Sequence, residues 1–315
     1  MGVDVAEAVA ASDGLLHSAL LYRGAAEFRA VVERYVRGGL ARAEPVLIVT
    51  PPRKVSWLRR EFNGETGGVA FTDMTELGRN PARIIPAIRT FMDRYPGRRI
   101  RYVGEPVWPE RSAAELREAA RYEALVNTAF SGAPATMVCL YDSAELTPAV
   151  LDDAGCTHPA LFRQGEEQAS PSYLGPDSLP PGCDHPLARP PAIAERLTYQ
   201  RDLRPVRSLV ARRARRARLP ARRITDLVLA ASEVAANTLR HTKAGGTVHL
   251  WHDEDEILCQ IHDTGVIADR LAGYWTPADD LPGGKGLWLV NQVCDLVEVR
   301  SSPGGTTICL HMRLR

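Results

Sequence analysis

The sequence predicts an α/β domain with a mainly parallel sheet, then a linker, then a C-terminal α+β domain. Three observations carry that prediction. Residues 15–162 alternate short apolar runs with amphipathic stretches, residues 163–196 are rich in Pro and Gly, and residues 197–315 run helix, strand, glycine-rich turn, helix and hairpin. At 315 residues the chain is long enough for two full cores, and 45% hydrophobic with 24% charged residues is ordinary for a globular protein.

Residues 1–14 lack a basic start and an apolar core, so they read as a flexible N-terminus and not as a signal peptide. No run is long enough to cross a bilayer, and Ala6 stands where N-myristoylation after Gly2 prefers Ser or Thr. The expectation is a cytoplasmic protein with no membrane contact. A formal net charge of +1 gives no overall reason for direct nucleic-acid binding.

The strands of the first domain are expected at Leu16–Tyr22, Val46–Val49, Val69–Thr72, Ile100–Val103 and Met137–Tyr141, all rich in Val, Ile and Leu. Between them, 25–40, 81–95 and 112–130 are amphipathic, which predicts helices on both faces of a parallel sheet. Such sheets bind ligands beyond the carboxyl ends of their strands. The fourth strand runs into Gly104-Glu105-Pro106-Val107-Trp108 and the fifth ends at Tyr141-Asp142, so Glu105, Trp108 and Asp142 are the candidate pocket residues. No Gly-x-x-x-x-Gly-Lys-Ser/Thr loop occurs, and an active P-loop NTPase is unsupported.

Several features are weighed against plainer readings. Glu123-x-x-x-Asn127 has the spacing of a ligand pair, but a helix shows many such pairs, and a solvated or locally hydrogen-bonded pair is the better expectation. His17 reads as a strand-edge histidine, and Trp57 and Trp108 as packing residues. Cys139, Cys259, Cys294 and Cys309 fall in apolar patterns and read as reduced core residues. Cys156-Thr-His158-Pro and Cys183-Asp-His185-Pro repeat one pattern; a Cys2His2 zinc site is weighed against two Pro-bounded turns, and the turns are favoured. Arg outnumbers Lys 36 to 3, so the run Arg212-Arg213-Ala-Arg215-Arg216-Ala-Arg218 reads as the solvated face of an amphipathic helix, with protein docking as its functional alternative.

The second domain holds the chemistry. On its helix Ile224, Leu227, Val228, Ala231 and Ala235 form an apolar stripe. Taken from Ala231, Asp226, Glu233 and Asn237 fall at about 200–240°, on the opposite face. A carboxylate and an amide one turn apart can orient an attacking oxygen and ligate magnesium. Ile257–His262 reads as a strand ending at Asp263, a carboxylate able to accept from an adenine amine, with Gly265 allowing close backbone approach. Gly283, Gly284 and Gly286 feed the helical run 287–293, where free amides suit phosphate, and Lys285 adds a cation. The hairpin 298–314 turns at Pro303-Gly304-Gly305, with Ile308, Leu310, Met312 and Leu314 alternating inward.

This order of segments resembles the ATPase domain shared by gyrase, histidine kinases and MutL, the Bergerat fold, and within it the bacterial anti-sigma factors that are serine kinases. The resemblance covers about residues 200–315. It implies a two-layer α+β sandwich binding ATP and Mg2+. Glu233 would be the general base, Asn237 the magnesium ligand and Asp263 the adenine reader; Gly283, Gly284 and Gly286 would form the lid, and Thr307 or Thr306 would support the adenine site. The partners implied are a sigma factor and a STAS-type antagonist phosphorylated on serine. Asp-x-Gly-x-Gly departs here at Ile267, which predicts reduced affinity or turnover and keeps open a nucleotide-binding switch that sequesters a partner without transferring phosphate. A sensor histidine kinase is the further alternative, disfavoured because no phospho-acceptor His followed by an acidic residue lies between linker and ATPase.

Residues 15–162 resemble the MEDS sensory domain, on the evidence of His17–Tyr22, Gly38-Gly-Leu40, Tyr102-Val-Gly-Glu105-Pro-Val-Trp108, Tyr122-Glu123 through Asn127, and Cys139-Leu-Tyr-Asp142. That likeness implies sensing of a small organic molecule. The sequence leaves a homodimer open.

Overall fold

The structure is a computed structural model that describes residues 14–62, 68–163, 166–242, 244–275 and 285–315. Most of the stretch read as a flexible N-terminus, together with Gly283 and Gly284, lies outside the described residues. The chain divides into two compact units, 1–183 and 184–315.

The first unit is built on a seven-stranded sheet: β1 (Leu16–Tyr22), β2 (Val46–Thr50), β3 (Val69–Asp73), β4 (Ile100–Gly104), β5 (Ala135–Asp142), β6 (Ala160–Arg163) and β7 (Glu166–Ala169). Their order is β3-β2-β4-β5-β1-β6-β7, parallel throughout except for the antiparallel pair β6–β7. The helices are α1 (Gly24–Leu40), α2 (Pro52–Glu61), α3 (Met74–Leu77), α4 (Ile84–Met92), α5 (Ala113–Ala129) and α6 (Pro148–Thr157). Every residue of β2, β4 and β5 is buried, so these strands are covered on both faces and need continuous apolar runs. A capping box fixes the start of α5, with Glu115 N–H donating to the Ser112 hydroxyl and Ser112 N–H to the Glu115 carboxylate. From β1 the chain crosses to β2 on one side, and from β5 it crosses to β6 on the other. The reversal falls between β1 and β5, which pair from Leu16↔Thr136 to Tyr22↔Asp142 and so end level with each other.

The second unit holds α7 (Arg204–Arg216), α8 (Ala221–His241) and α9 (Lys285–Val293) with β8 (Glu195–Tyr199), β9 (Gly246–His252), β10 (Glu256–Asp263), β11 (Leu296–Ser302) and β12 (Gly305–Arg313). The sheet order is β11-β12-β10-β9-β8, antiparallel throughout. Leu227, Ala231, Val234 and Ala235 of α8, Leu287 and Val290 of α9, and Ile308, Leu310 and Met312 of β12 share one core. Arg223 near the start of α8 locks the far end of α9, donating to the Val293 carbonyl at 3.0 Å and pairing with Asp295.

The expected fold class is the one found. Three local expectations differ. The segment read as linker carries β7 and the start of β8, and Arg300 and Gln260 donate to the carbonyls of His185 and Ala188, so part of it lies on the second sheet. Its Pro content obscured strands whose residues, Glu-Glu-Gln-Ala in β7, carry no apolar pattern. His17 is not at an edge, because β1 lies between β5 and β6. Glu123 and Asn127 are buried, not solvated, because α5 lies with both residues turned into the interior; the local hydrogen bonding expected of them is found at Asn127 Nδ2, which donates to the Glu123 and Ala124 carbonyls. Among the described residues no helix is long and apolar enough to cross a membrane.

Candidate functional site

In the second unit the end of β10, the middle of α8 and the start of α9 converge. Asp263 is the last residue of β10, opposite Gly246 on one side and Thr306 on the other. Its carboxylate is held from two directions. The Thr238 hydroxyl donates to Oδ2 at 2.5 Å, and Gly265 N–H donates to Oδ1 at 2.7 Å, closing a tight turn after the strand. Thr306 donates to the Gly265 carbonyl at 2.8 Å and meets the Ser301 hydroxyl at 2.8 Å. The half-buried Thr307 lies 3.0 Å from His262 Nδ1 instead, on the other face of β12. Only Thr306 of the two threonines is therefore joined to the Asp263 turn, as strand alternation requires. Gly305 beside it has φ of +123°, and a Cβ there would stand 2.3 Å from the Asp263 carbonyl oxygen.

Glu233 and Asn237 are half-buried and follow each other by one turn on α8. Both face the first turn of α9. A Cβ on Gly286 would lie 3.0 Å from Glu233 Oε2 and 3.3 Å from Asn237 Nδ2, so glycine is what lets the helix start approach both side chains. The Arg240 guanidinium donates to Asn237 Oδ1 at 2.7 Å. The Glu233 carboxylate and the Asn237 amide oxygen, the latter accepting from Arg240, thus stand beside Gly286, two hard oxygens of a kind that can ligate a divalent cation. Lys285, exposed, opens that helix. Ile267 does not stand alone in the loop: its side chain packs against the core cluster, and its N–H donates to the Ser301 hydroxyl at 2.8 Å.

In the first unit an open pocket of about 300 Å³ lies at the carboxyl ends of β1 and β5, lined among others by Tyr22, Phe28, Lys54, Trp57 and Asp142. Glu105, 3% exposed, accepts from Tyr22 Oη at 2.8 Å and pairs with Lys54. Burial raises the pKa of Glu105, opposed by Lys54 and Tyr22, and its second oxygen has no hydrogen-bond partner. Lys54 also lies over the rings of Tyr22 and Phe28. Of the expected pocket residues only Asp142 lines it: Glu105 stands behind Lys54 and Tyr22, and Trp108 is covered by the Arg111 guanidinium, 3.8 Å from the ring centroid, which in turn donates to the Pro106 and Gly78 carbonyls. Trp57, expected only to pack, does line the pocket.

Sequence reasoning missed Thr238, Arg240, Tyr22 and Lys54. Thr238 and Arg240 follow Asn237 on α8, and the signal available was their position within a turn of it; Tyr22 and Lys54 were available only from the strand order. The paired Cys-x-His motifs do not assemble. Cys183 closes the first unit and His185 falls in the second, and neither Cys156 nor Cys183 joins a cluster of metal-ligating groups among the described residues.

A strand-end carboxylate is thus pinned beside a helix that carries a carboxylate and an amide, in an α+β domain with one antiparallel sheet. Residues 198–312 match the histidine kinase-like ATPase domain, and residues 16–159 match MEDS, the MEthanogen/methylotroph, DcmR Sensory domain. The chain carries a MEDS sensory domain followed by a histidine kinase-like ATPase domain. No curated protein matches it.

Proposed function

We propose that this chain is an anti-sigma regulator whose C-terminal unit binds Mg-ATP and phosphorylates a serine of a STAS-type antagonist, under control of the N-terminal domain. A sensory domain joined to an ATPase domain is the composition of a signalling regulator, and the ATPase family implies nucleotide binding with kinase-like chemistry. The observation that carries the reading is Glu233 and Asn237 set against Gly286 at the start of α9. Asn237 and the α9 amides would hold magnesium and phosphate, and the cation would supply charge neutralisation in phosphoryl transfer. Asp263, pinned by Thr238 and Gly265, would accept from the adenine amine, with Thr306 holding the turn. Glu233 would take the proton of the incoming serine hydroxyl. Gly283, Gly284 and Lys285 would close over the phosphates, and Thr307 would have no direct part. The 300 Å³ pocket, lined by Asp142 and by Lys54 with its buried partner Glu105 behind it, supports recognition of a small polar organic molecule. The packing of Ile267 on the core favours transfer over a switch whose loop crowds the nucleotide.

The test is transfer from γ-labelled ATP by the full chain to STAS-type proteins of its host. The expected product is an acid-stable, alkali-labile phosphoserine, lost with Glu233→Ala while nucleotide still binds. Binding without transfer by the parent chain means a switch, and an acid-labile phosphohistidine means a histidine kinase; either overturns the serine-kinase reading.

A further inference from the structure

Four side chains from four places in the first unit meet in its interior: His17 on β1, Glu123 on α5, Cys139 on β5 and His158 between α6 and β6. None is more than 3% exposed. Glu123 Oε2 lies 3.2 Å from His17 Nε2, 3.4 Å from His158 Nε2 and 3.2 Å from Cys139 Sγ. Cys139 Sγ lies 3.5 Å from His17 Nε2, and one ligand atom from each residue fits within 4.8 Å of all the others.

Their outer contacts determine what faces inward. His158 Nδ1 is 2.9 Å from the Ala154 carbonyl oxygen, which only accepts, so that nitrogen carries a proton. His17 Nδ1 is 3.0 Å from Asn127 Oδ1. Asn127 cannot be turned round, because its amide nitrogen faces the carbonyls of Thr157 at 2.8 Å, Ala124 at 3.3 Å and Glu123 at 3.4 Å. His17 therefore also donates outward. In the neutral form, with the proton on Nδ1, each imidazole presents its Nε2 lone pair to the carboxylate, and Cys139 has a single proton to share among them. Glu123 Oε1 and His158 Nε2 make no hydrogen bond. Buried lone pairs crowded together in this way repel unless a cation lies among them.

The spacing is that of ligands around one. Zinc-class bonds of about 2.0–2.3 Å to N, O and S place tetrahedral ligand atoms about 3.3–3.8 Å apart. Four of the six separations, 3.2–3.5 Å, reach that edge with shifts of a few tenths of an ångström, and the other two, from His158 to His17 and to Cys139, lie within 4.8 Å. Charge closes as well: a dication with one carboxylate and one thiolate sums to zero, as a dry site requires. The donor set of two imidazoles, a sulfur and a carboxylate suits a borderline metal and not magnesium or calcium.

We propose that His17, Glu123, Cys139 and His158 form a tetrahedral site for a divalent transition metal of the zinc class. The site ties β1, β5, α5 and the α6–β6 junction together, and Asn127 is a positioning residue that sets the His17 ring. Binding forms a metal–sulfur bond and releases the Cys139 proton to solvent. With every ligand buried, the metal enters as the domain folds.

The experiment supplies zinc or cobalt to cells producing the full chain, purifies it in metal-free buffer and counts metal against protein. One ion per chain is expected, with the cobalt form showing tetrahedral ligand-field absorption and a thiolate-to-cobalt charge-transfer band. Cys139→Ser should lose the charge-transfer band, and His17→Gln should cut retained metal at least about tenfold. Cys156→Ser should change neither. Should the cluster variants fail to fold, X-ray absorption on the zinc form of the parent decides, one sulfur with three nitrogen or oxygen neighbours being the expected shell. A natively folded parent that retains no metal, as a bare imidazolium–carboxylate cluster would, overturns the proposal. So does any other ligand shell, or a charge-transfer band that survives Cys139→Ser.

Discussion

Glu123-x-x-x-Asn127 on α5 and Glu233-x-x-x-Asn237 on α8 share one spacing, yet they occupy opposite surroundings. The first pair is buried, at 1% and 5% exposure; Glu123 Oε2 meets His17, His158 and Cys139, and Asn127 donates to the Thr157 carbonyl. The second is half-buried and faces a glycine at the start of another helix. Helical spacing fixes only that two side chains share a face. Whether the pair holds a fold together or meets a ligand depends on what the rest of the chain places opposite. On α5 that is two imidazoles and a thiol from distant strands and turns; on α8 it is Gly286 of α9.

The largest effect expected of this contrast is on stability. Glu123→Ala strips the anion from a dry cluster and should cost about 3–5 kcal/mol in denaturant unfolding. Glu233→Ala should cost less than about 1 kcal/mol. Equal costs would erase the distinction. Next is Asp263→Asn. Its new amide group must turn toward the Thr238 hydroxyl or the Gly265 N–H, both of which donate to the carboxylate, or toward the adenine amine that the proposed function places there. ATP affinity by calorimetry should fall about 10- to 100-fold, about 1.4–2.8 kcal/mol. Unchanged preference for ATP over GTP would remove Asp263 from the adenine site.

A smaller change is expected of Gly286→Ala, whose methyl group would press on Glu233 Oε2 from 3.0 Å. The carboxylate and Asn237 must yield by a few tenths of an ångström, and nucleotide affinity should drop by up to about tenfold, about 1.4 kcal/mol, with the melting temperature nearly unchanged. An unaltered affinity would mean that α9 does not close on the α8 pair. The smallest effect is a pH dependence at a third cluster. His311 lies 3.1 Å from Glu256 and 3.2 Å from Glu298. Burial opposes its protonation, but Cys309, Glu256 and Glu298 prevail and raise its pKa well above 6.5. Stability from the charged imidazole is therefore complete below pH 6.5 and is lost as pH rises through the higher folded value. His311→Asn should flatten unfolding free energy against pH in that alkaline window by about 1 kcal/mol; a slope that persists would assign it elsewhere.

Much of the fold was legible because its central strands are buried on both faces. β1 to β5 lie within about two residues of the apolar runs that predict them. The polar β7 and the short helices α3 and α6 left no comparable pattern, and α2 carries only a short one, Val55 and Leu58. In the second unit Glu233, Asn237 and Asp263 were readable from helix phase and a strand end. Thr238 and Arg240 were not, since ordinary residues acquire those roles only when Asp263 and Asn237 come within reach. His158 illustrates the same limit from the other side. Its local motif pointed to Cys156, whereas the fold delivers it to His17, Glu123 and Cys139. Long-range convergence is set by strand order, which one sequence does not display.

The central claim is that the α8 pair, and not its α5 counterpart, meets the nucleotide. Calorimetric titration of the full chain with Mg-ATP tests it directly, comparing Asn237→Ala with Asn127→Ala after circular dichroism shows both folded. Asn237→Ala should lose magnesium-dependent binding, while Asn127→Ala should bind as the parent does. Parental affinity in Asn237→Ala, or loss confined to Asn127→Ala, would contradict the account.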